Sequence, residues 1–214
     1  MYSCIKSFMD NDKENGLLLL DMPTGFGKTY SVIKYIAEFI KENSDTGKKI
    51  FFITTLKKNL PVEELKRRLD EMELLHLFEE RVIELKSNVD TVVANYNSSM
   101  YNDIPLEIRN SEEFKNFKAD VEFLKKHTGQ NSDLVRSVRN NFSNNNERIF
   151  RAYMQNTFAR NFPSIKERLL AIKTDSAWQW VGKLYPSVFT SEKQVIFMSM
   201  DKFICCLLYT SPSP

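Results

Sequence analysis

Cysteine is scarce: Cys4, Cys205 and Cys206 are the only three in 214 residues. That is too few for a disulfide framework and wrongly spaced for a metal cluster, so a reducing, cytoplasmic setting is expected. The two histidines, His76 and His127, have no ligand-spaced partners, which argues against zinc. Six glycines and seven prolines exclude a collagenous or low-complexity chain. An excess of one charge is missing too. Thirty basic side chains against 28 acidic ones leave +2, so any nucleic-acid surface has to be a local patch. No apolar run nears the ~20 residues of a membrane helix; the longest, Leu17–Leu20, is strand-sized. No charged start, apolar stretch and cleavage site follow Met1, so no secretory leader is expected. What remains, 42% hydrophobic and 27% charged, suits one domain with its own core and room for an inserted subdomain.

Residues 1–15 are polar, with a short helix about Ile5–Met9 and a turn at Asn15–Gly16. Leu17–Asp21, apolar and closed by an acid, predicts a strand buried on both faces of a parallel sheet. After a glycine-containing loop, Val32, Ile33, Ile36, Phe39 and Ile40 mark a helix over Tyr30–Glu42 that ends about Ser44–Gly47. Lys49–Thr54 and Arg81–Leu85 read as strands around a helix that starts near Pro61, with Val62, Leu65, Leu69 and Met72 inward. Strand alternating with helix is the signature of a parallel α/β sheet. From Ser87 to Thr190 the alternation stops. Phe114, Phe117, Val121 and Leu124 carry helical spacing, and the asparagine-rich Asn140–Asn146 is expected to break this helical insertion in two. Gln194–Met200 returns to strand character, and Asp201–Ile204 begins a helix.

One motif is strong. Met22-Pro-Thr-Gly-Phe-Gly-Lys28-Thr29 fits a phosphate-binding loop at its second glycine, its lysine and its hydroxyl residue, with Met22 where glycine or alanine is usual. Such a loop turns backbone N–H groups inward as an anion nest at a helix N-terminus. Gly25 and Gly27 permit backbone angles that a Cβ would block. Lys28 would reach the β- and γ-phosphates of ATP, and the Thr29 hydroxyl would ligate Mg²⁺.

Pro23-Thr24-Gly25-Phe26-Gly27-Lys28-Thr29 further resembles motif I of superfamily 2 helicases, the group of the DEAD/DEAH-box proteins and type III restriction subunits. Strand Ile50–Thr54 followed by Thr55-Leu56 is similar to that family's motif Ia, where a strand-end threonine touches the nucleic-acid backbone. Gln194–Phe203 resembles the strand and turn before the acidic box, where a serine meets the tracked strand, here Ser199. The resemblance covers residues 17–86 and 194–204. It implies a P-loop NTPase of RecA-like α/β fold. Residues 1–86 would be the first part of its ATP-binding domain, 87–190 a mainly helical insertion, and 191–205 a return strand. It also implies an ATP-dependent helicase or translocase with nucleic acid, DNA before RNA, as partner. The family's acidic box, Ser-Ala-Thr motif and second domain are not in the chain, and the first glutamine is Gln130, so the upstream adenine-reading glutamine is absent as well. Hydrolysis is therefore expected of a longer protein, not of this chain. Cys206–Pro214 resembles translated sequencing adapter, which implies a reading frame cut at Cys205 and sets residues 206–214 aside from fold reasoning.

Two other readings stay open: another P-loop enzyme, AAA-type ATPase or kinase, and a non-catalytic interaction module with a vestigial loop. Asp201 lacks the adjacent glutamate that water activation calls for, so a turn role is expected; Asp21 reads as a strand-end acid. Between Arg136 and Lys173 eight cations face two acids, interleaved with Phe142, Phe150, Tyr153, Phe158 and Phe162. This is either a phosphate-tracking, base-stacking patch or, the favoured reading, a solvated face over an aromatic core. Trp178 and Trp180, two apart, would share a face of a strand and are expected to pack.

Overall fold

β-Branched and aromatic residues cluster at three places in the chain, and each becomes a strand. The computed structural model describes residues 1–11, 16–21, 23, 25–42 and 47–204. Its sheet contains β1 (Ile50–Thr54), β2 (Val82–Leu85) and β3 (Val195–Ser199), all parallel and ordered β1-β3-β2. Val195 is the register partner of Ile50 on one side and of Val82 on the other. Flanked on both edges, β3 is buried along its whole length, whereas Phe51 on the edge strand β1 is 51% exposed. The period-2 alternation of a strand sends Val195 and Phe197 to one face and Ile196 and Met198 to the other.

The first face is covered by α1 (Tyr2–Met9), α2 (Lys28–Glu42), α3 (Val62–Glu71) and α4 (His76–Arg81). Ile5, Ile33, Ile36, Ile40, Leu65 and Leu69 meet the sheet there, all at 5% exposure or less. In α2 and α3 these fall at the predicted helical spacing. α3 ends in a Schellman cap: Leu74 N–H donates to the Leu69 carbonyl at 2.7 Å and Glu73 N–H to that of Asp70 at 2.9 Å. Glu73 takes the left-handed position, φ 60°, normally reserved for glycine. Glu73→Gly is expected to stabilise by about 0.5–1 kcal/mol, removing Cβ strain at some cost in chain entropy. A urea midpoint that does not rise, followed by far-UV circular dichroism, would refute it.

The expected first strand is not there. Residues 16–21 form no strand; Leu17 is 90% and Leu19 82% exposed, Asp21 is exposed, and of this run only Leu20 packs against the core beneath the sheet. A strand buried on both faces needs paired neighbours, and a short apolar run has no period that separates strand from extended coil. Asn15, Met22, Thr24, Cys205 and the tail 206–214 lie outside the described residues.

The chain divides into two units: residues 1–85 with the segment from Glu192 onward, and Lys86–Ser191. The second is helical, with α5 (Asn88–Asn95), α6 (Leu106–Asn110), α7 (Glu112–Lys126), α8 (Asp133–Asn141), α9 (Glu147–Asn161), α10 (Ile165–Thr174) and α11 (Gln179–Leu184). Serine starts four of them: Ser87, Ser111, Ser132 and Ser164 each accept a backbone N–H three residues on, Ser164 in a full capping box with Glu167. That contact holds the exposed Glu167 carboxyl below its ordinary range, chiefly through the Ser164 N–H.

One expectation fails in this unit. Asn140–Asn146 does not break the helix. Phe142–Asn146 is a π-helical turn that joins α8 to α9, because Phe142, wholly buried, anchors it. Its polar side chains find partners: Asn146 Nδ2 donates to Asp120 at 2.8 Å and Asn145 Nδ2 to Asn141 at 2.8 Å. The tryptophans pack, as expected, at a helix. Trp178 caps α11 and Trp180 lies within it, both buried, with Trp180 Nε1 donating to the Ala177 carbonyl at 2.9 Å.

Candidate functional site

α2 begins at Lys28, immediately after two residues of the loop whose backbone is left-handed. Gly25 has φ 90° and Gly27 φ 69°. A Cβ on Gly25 would meet nothing within 4 Å, and one on Gly27 only Tyr30 Cβ at 4.0 Å. Backbone angle, not crowding, therefore demands glycine, and the space above the loop is open. Ser31 N–H donates to the Gly27 carbonyl at 2.9 Å as the first turn of α2 closes. The N–H groups ahead of it have no acceptor within the helix and carry the positive end of its dipole. Lys28 Nζ folds back over the loop to the Pro23 carbonyl at 3.2 Å. Phe26 is 66% exposed and Thr29 is exposed as well. Of the predicted loop residues, Pro23, Gly25, Phe26, Gly27, Lys28 and Thr29 are thus brought together around one helix start.

Arg81, just before β2, donates through Nη1 to the Ile40 carbonyl at 2.5 Å, which brings the end of α2 beside the start of β2. Thr54 and Ser199 end adjacent strands as register partners, at the C-terminal edge of the sheet where parallel sheets form their crevices. Thr54 is half-buried, its hydroxyl donating to the Leu56 carbonyl at 2.9 Å; Thr55 is exposed. Ser199 is only 4% exposed and its Oγ accepts the Lys202 N–H at 3.4 Å, capping the helical turn 200–204. The exposed Lys57 and Lys58, on the 3-10 turn after Thr55, add two cations after the end of β1. A lysine pair directly after the strand-end threonines was the available signal.

A second cation stands beside the loop. The Arg68 guanidinium of α3 lies 4.3 Å from the ring centre of Tyr30 in the first turn of α2. Hydrogen bonding and then charge from Arg68 pull the Tyr30 phenol below its ordinary value.

The basic stretch Arg136–Lys173 is no stacking platform. Phe142 and Phe150 are fully buried and Phe158 is 6% exposed, while Arg136, Arg148, Arg160, Lys166 and Lys173 are exposed. Those five cations stand in solvent around an aromatic core, while Arg151 and Arg168 are half-buried. Asp201 is exposed in the turn that Ser199 caps. His76 is exposed in the first turn of α4, and His127 caps α7 stacked 4.3 Å from the Phe123 ring. Cys4 is a free, exposed thiol. Among the described residues no group of three His, Cys, Asp or Glu is placed to hold a metal ion, and no helix is long and apolar enough to cross a membrane. Compared with protein-family models and with curated proteins, the chain matches none.

Proposed function

We propose that this chain binds ATP with Mg²⁺ through the loop Pro23–Thr29, within an ATP-dependent helicase or translocase that acts on nucleic acid, DNA before RNA. The observation that carries the reading is the pair of left-handed glycines directly ahead of a 15-residue helix that starts at Lys28. Their backbone and the first-turn N–H groups of α2 supply the anion nest. Lys28, whose Nζ reaches the Pro23 carbonyl at 3.2 Å, would hold phosphate oxygens in a charge-assisted pairing. The exposed Thr29 hydroxyl would help to hold the magnesium ion. When bound, Mg·ATP supplies the phosphoryl bond whose cleavage drives such motors.

In this reading Thr54, Thr55, Lys57 and Lys58, at the C-terminal end of β1 and the turn after it, would make the nucleic-acid backbone contacts. Ser199, buried, acts by capping the turn that follows β3 instead of by touching the strand itself. We assign no water-activating residue, because Asp201 is followed by Lys202 and Phe203, not by a second acid.

Calorimetry of the folded chain with Mg·ATP tests the proposal. Wild type is expected to bind, and Lys28→Ala to bind about tenfold to a hundredfold more weakly, the loss of one hydrogen bond to a charged group. Equal affinities for the two proteins, or no uptake by wild type, would remove the nucleotide site. Stimulation of turnover by DNA or RNA in a longer protein separates a helicase from a kinase.

A further inference from the structure

A pocket of about 390 Å³ opens within the helical unit, between α5, the end of α7 and the start of α8. Leu124 and Val135, both buried, and the partly buried Val93 give it an apolar floor, with Ala94 exposed at its mouth. Its polar wall holds three cations, Lys125, Arg136 and Arg139, against one carboxylate, Asp90. That carboxylate is already satisfied: the Ser87 hydroxyl donates to Oδ2 at 2.6 Å, and Arg139 Nη2 takes Oδ1.

Arg136 bonds Asp133 through Nη2 at 2.7 Å, but the two side chains are 62% and 96% exposed, a pairing worth little in water. Among the described residues nothing occupies Nε or Nη1 of either arginine. His127 stands in the wall as a fixed ring, its Nδ1 2.8 Å from the Phe123 carbonyl oxygen and its plane stacked on Phe123.

We propose that this pocket takes one nucleotide of a single-stranded nucleic acid. The base rests on the apolar floor beside His127, and its phosphate sits between Arg136 and Arg139. An apolar floor under two arginines with unused donors selects a ligand that is flat and apolar at one end and a phosphate at the other. The volume admits a single nucleotide, being at the small end of ligand pockets (about 300–1,000 Å³), and excludes a duplex. The choice of a strand over a free nucleotide rests on the proposed helicase reading; the chemistry of the pocket does not.

The test is fluorescence anisotropy of a short labelled oligo(dT) with the full chain at increasing salt, alongside competition by dTMP. Arg136→Glu is expected to weaken oligo(dT) binding at least about tenfold and to lower the salt slope by about one. Ala94→Trp plugs the mouth at an exposed position without changing charge; it should weaken binding comparably and leave the slope unaltered. Far-UV circular dichroism checks that both variants fold. If dTMP binds with the same sensitivity to Arg136→Glu while oligo(dT) does not bind, the pocket stands and its ligand is a free nucleotide. Wild-type affinity in both variants, or no binding of either probe, overturns the inference. Mg·ATP calorimetry on Arg136→Glu, expected unchanged, keeps such a failure distinct from a failure of the phosphate loop.

Discussion

Phe117→Ala is expected to cost the helical unit about 4 kcal/mol, within the range for truncating a buried phenylalanine. Phe117 is wholly buried, with its ring centre 4.4 Å from that of Phe150, 5.5 Å from Phe142 and 6.2 Å from Phe114. Truncation loses the transfer energy of the ring and four aromatic contacts, the fourth being Tyr96 at 6.4 Å, and the surrounding side chains cannot all close on the hole. Set against a total of about 5–15 kcal/mol for a domain, that loss leaves a marginal fold. Both tryptophans of the chain, Trp178 and Trp180, lie in this unit, so urea unfolding followed by tryptophan fluorescence reads it alone. A loss below about 1 kcal/mol, the size of an ordinary surface change, would mean that Phe117 is not at the packing centre.

Arg151→Ala is the second. Glu147, on the first turn after the π-helical segment, is 2% exposed, and Arg151 Nε donates to its carboxylate at 3.1 Å. The Tyr185 hydroxyl is buried near this pair without a hydrogen-bond partner among the described residues. Burial first, and then the Glu147 charge, push its phenol well above the ordinary value. Removing Arg151 strands a carboxylate in an aromatic core. Breaking buried pairs costs about 3–5 kcal/mol. Because the Arg151 side chain is 37% exposed, we expect about 2–3 kcal/mol after solvent screening. Glu147→Leu with Arg151→Leu should recover most of the loss, since neither charge is then buried. Tyr185→Phe, deleting an unpaired hydroxyl, should cost nothing. Thermal midpoints of the four proteins decide it. A double variant as unstable as Arg151→Ala would show that packing of the arginine stem, not charge, is at stake.

Legibility in the sequence followed the strength of the local signal. Ile50–Thr54, Val82–Leu85 and Val195–Ser199 were readable because β-branched and aromatic residues concentrate there, and the inner faces of α2 and α3 because their apolar spacing is helical. Leu17–Leu20 misled, since an unbroken apolar run says nothing about whether a pairing partner exists; with Leu17 and Leu19 in solvent, the segment before the loop forms no strand. Asn140–Asn146 misled in the opposite direction. Asparagine is a weak helix former, but one buried phenylalanine and side-chain bonds to Asp120 and Asn141 outweigh that bias. Helix starts in the second unit carried a plain mark, serine three residues ahead of the first satisfied N–H, that apolar periodicity does not register. The loop glycines were legible because their chemistry is local. The pocket of the helical unit was not, because Asp90, Lys125 and Arg139 meet only after α5, α7 and α8 have packed.

The order β1-β3-β2 bears on how the molecule is made. The strand that both others require is the last to leave the ribosome, more than a hundred residues after β2. Until it emerges, β1 and β2 have no ladder to join, and their apolar side chains wait as unpaired edges, the state in which nascent chains aggregate. The intervening helices, built on short-range contacts, can fold meanwhile. Translation halted before Val195 would release a finished helical unit joined to a sheet that has not begun.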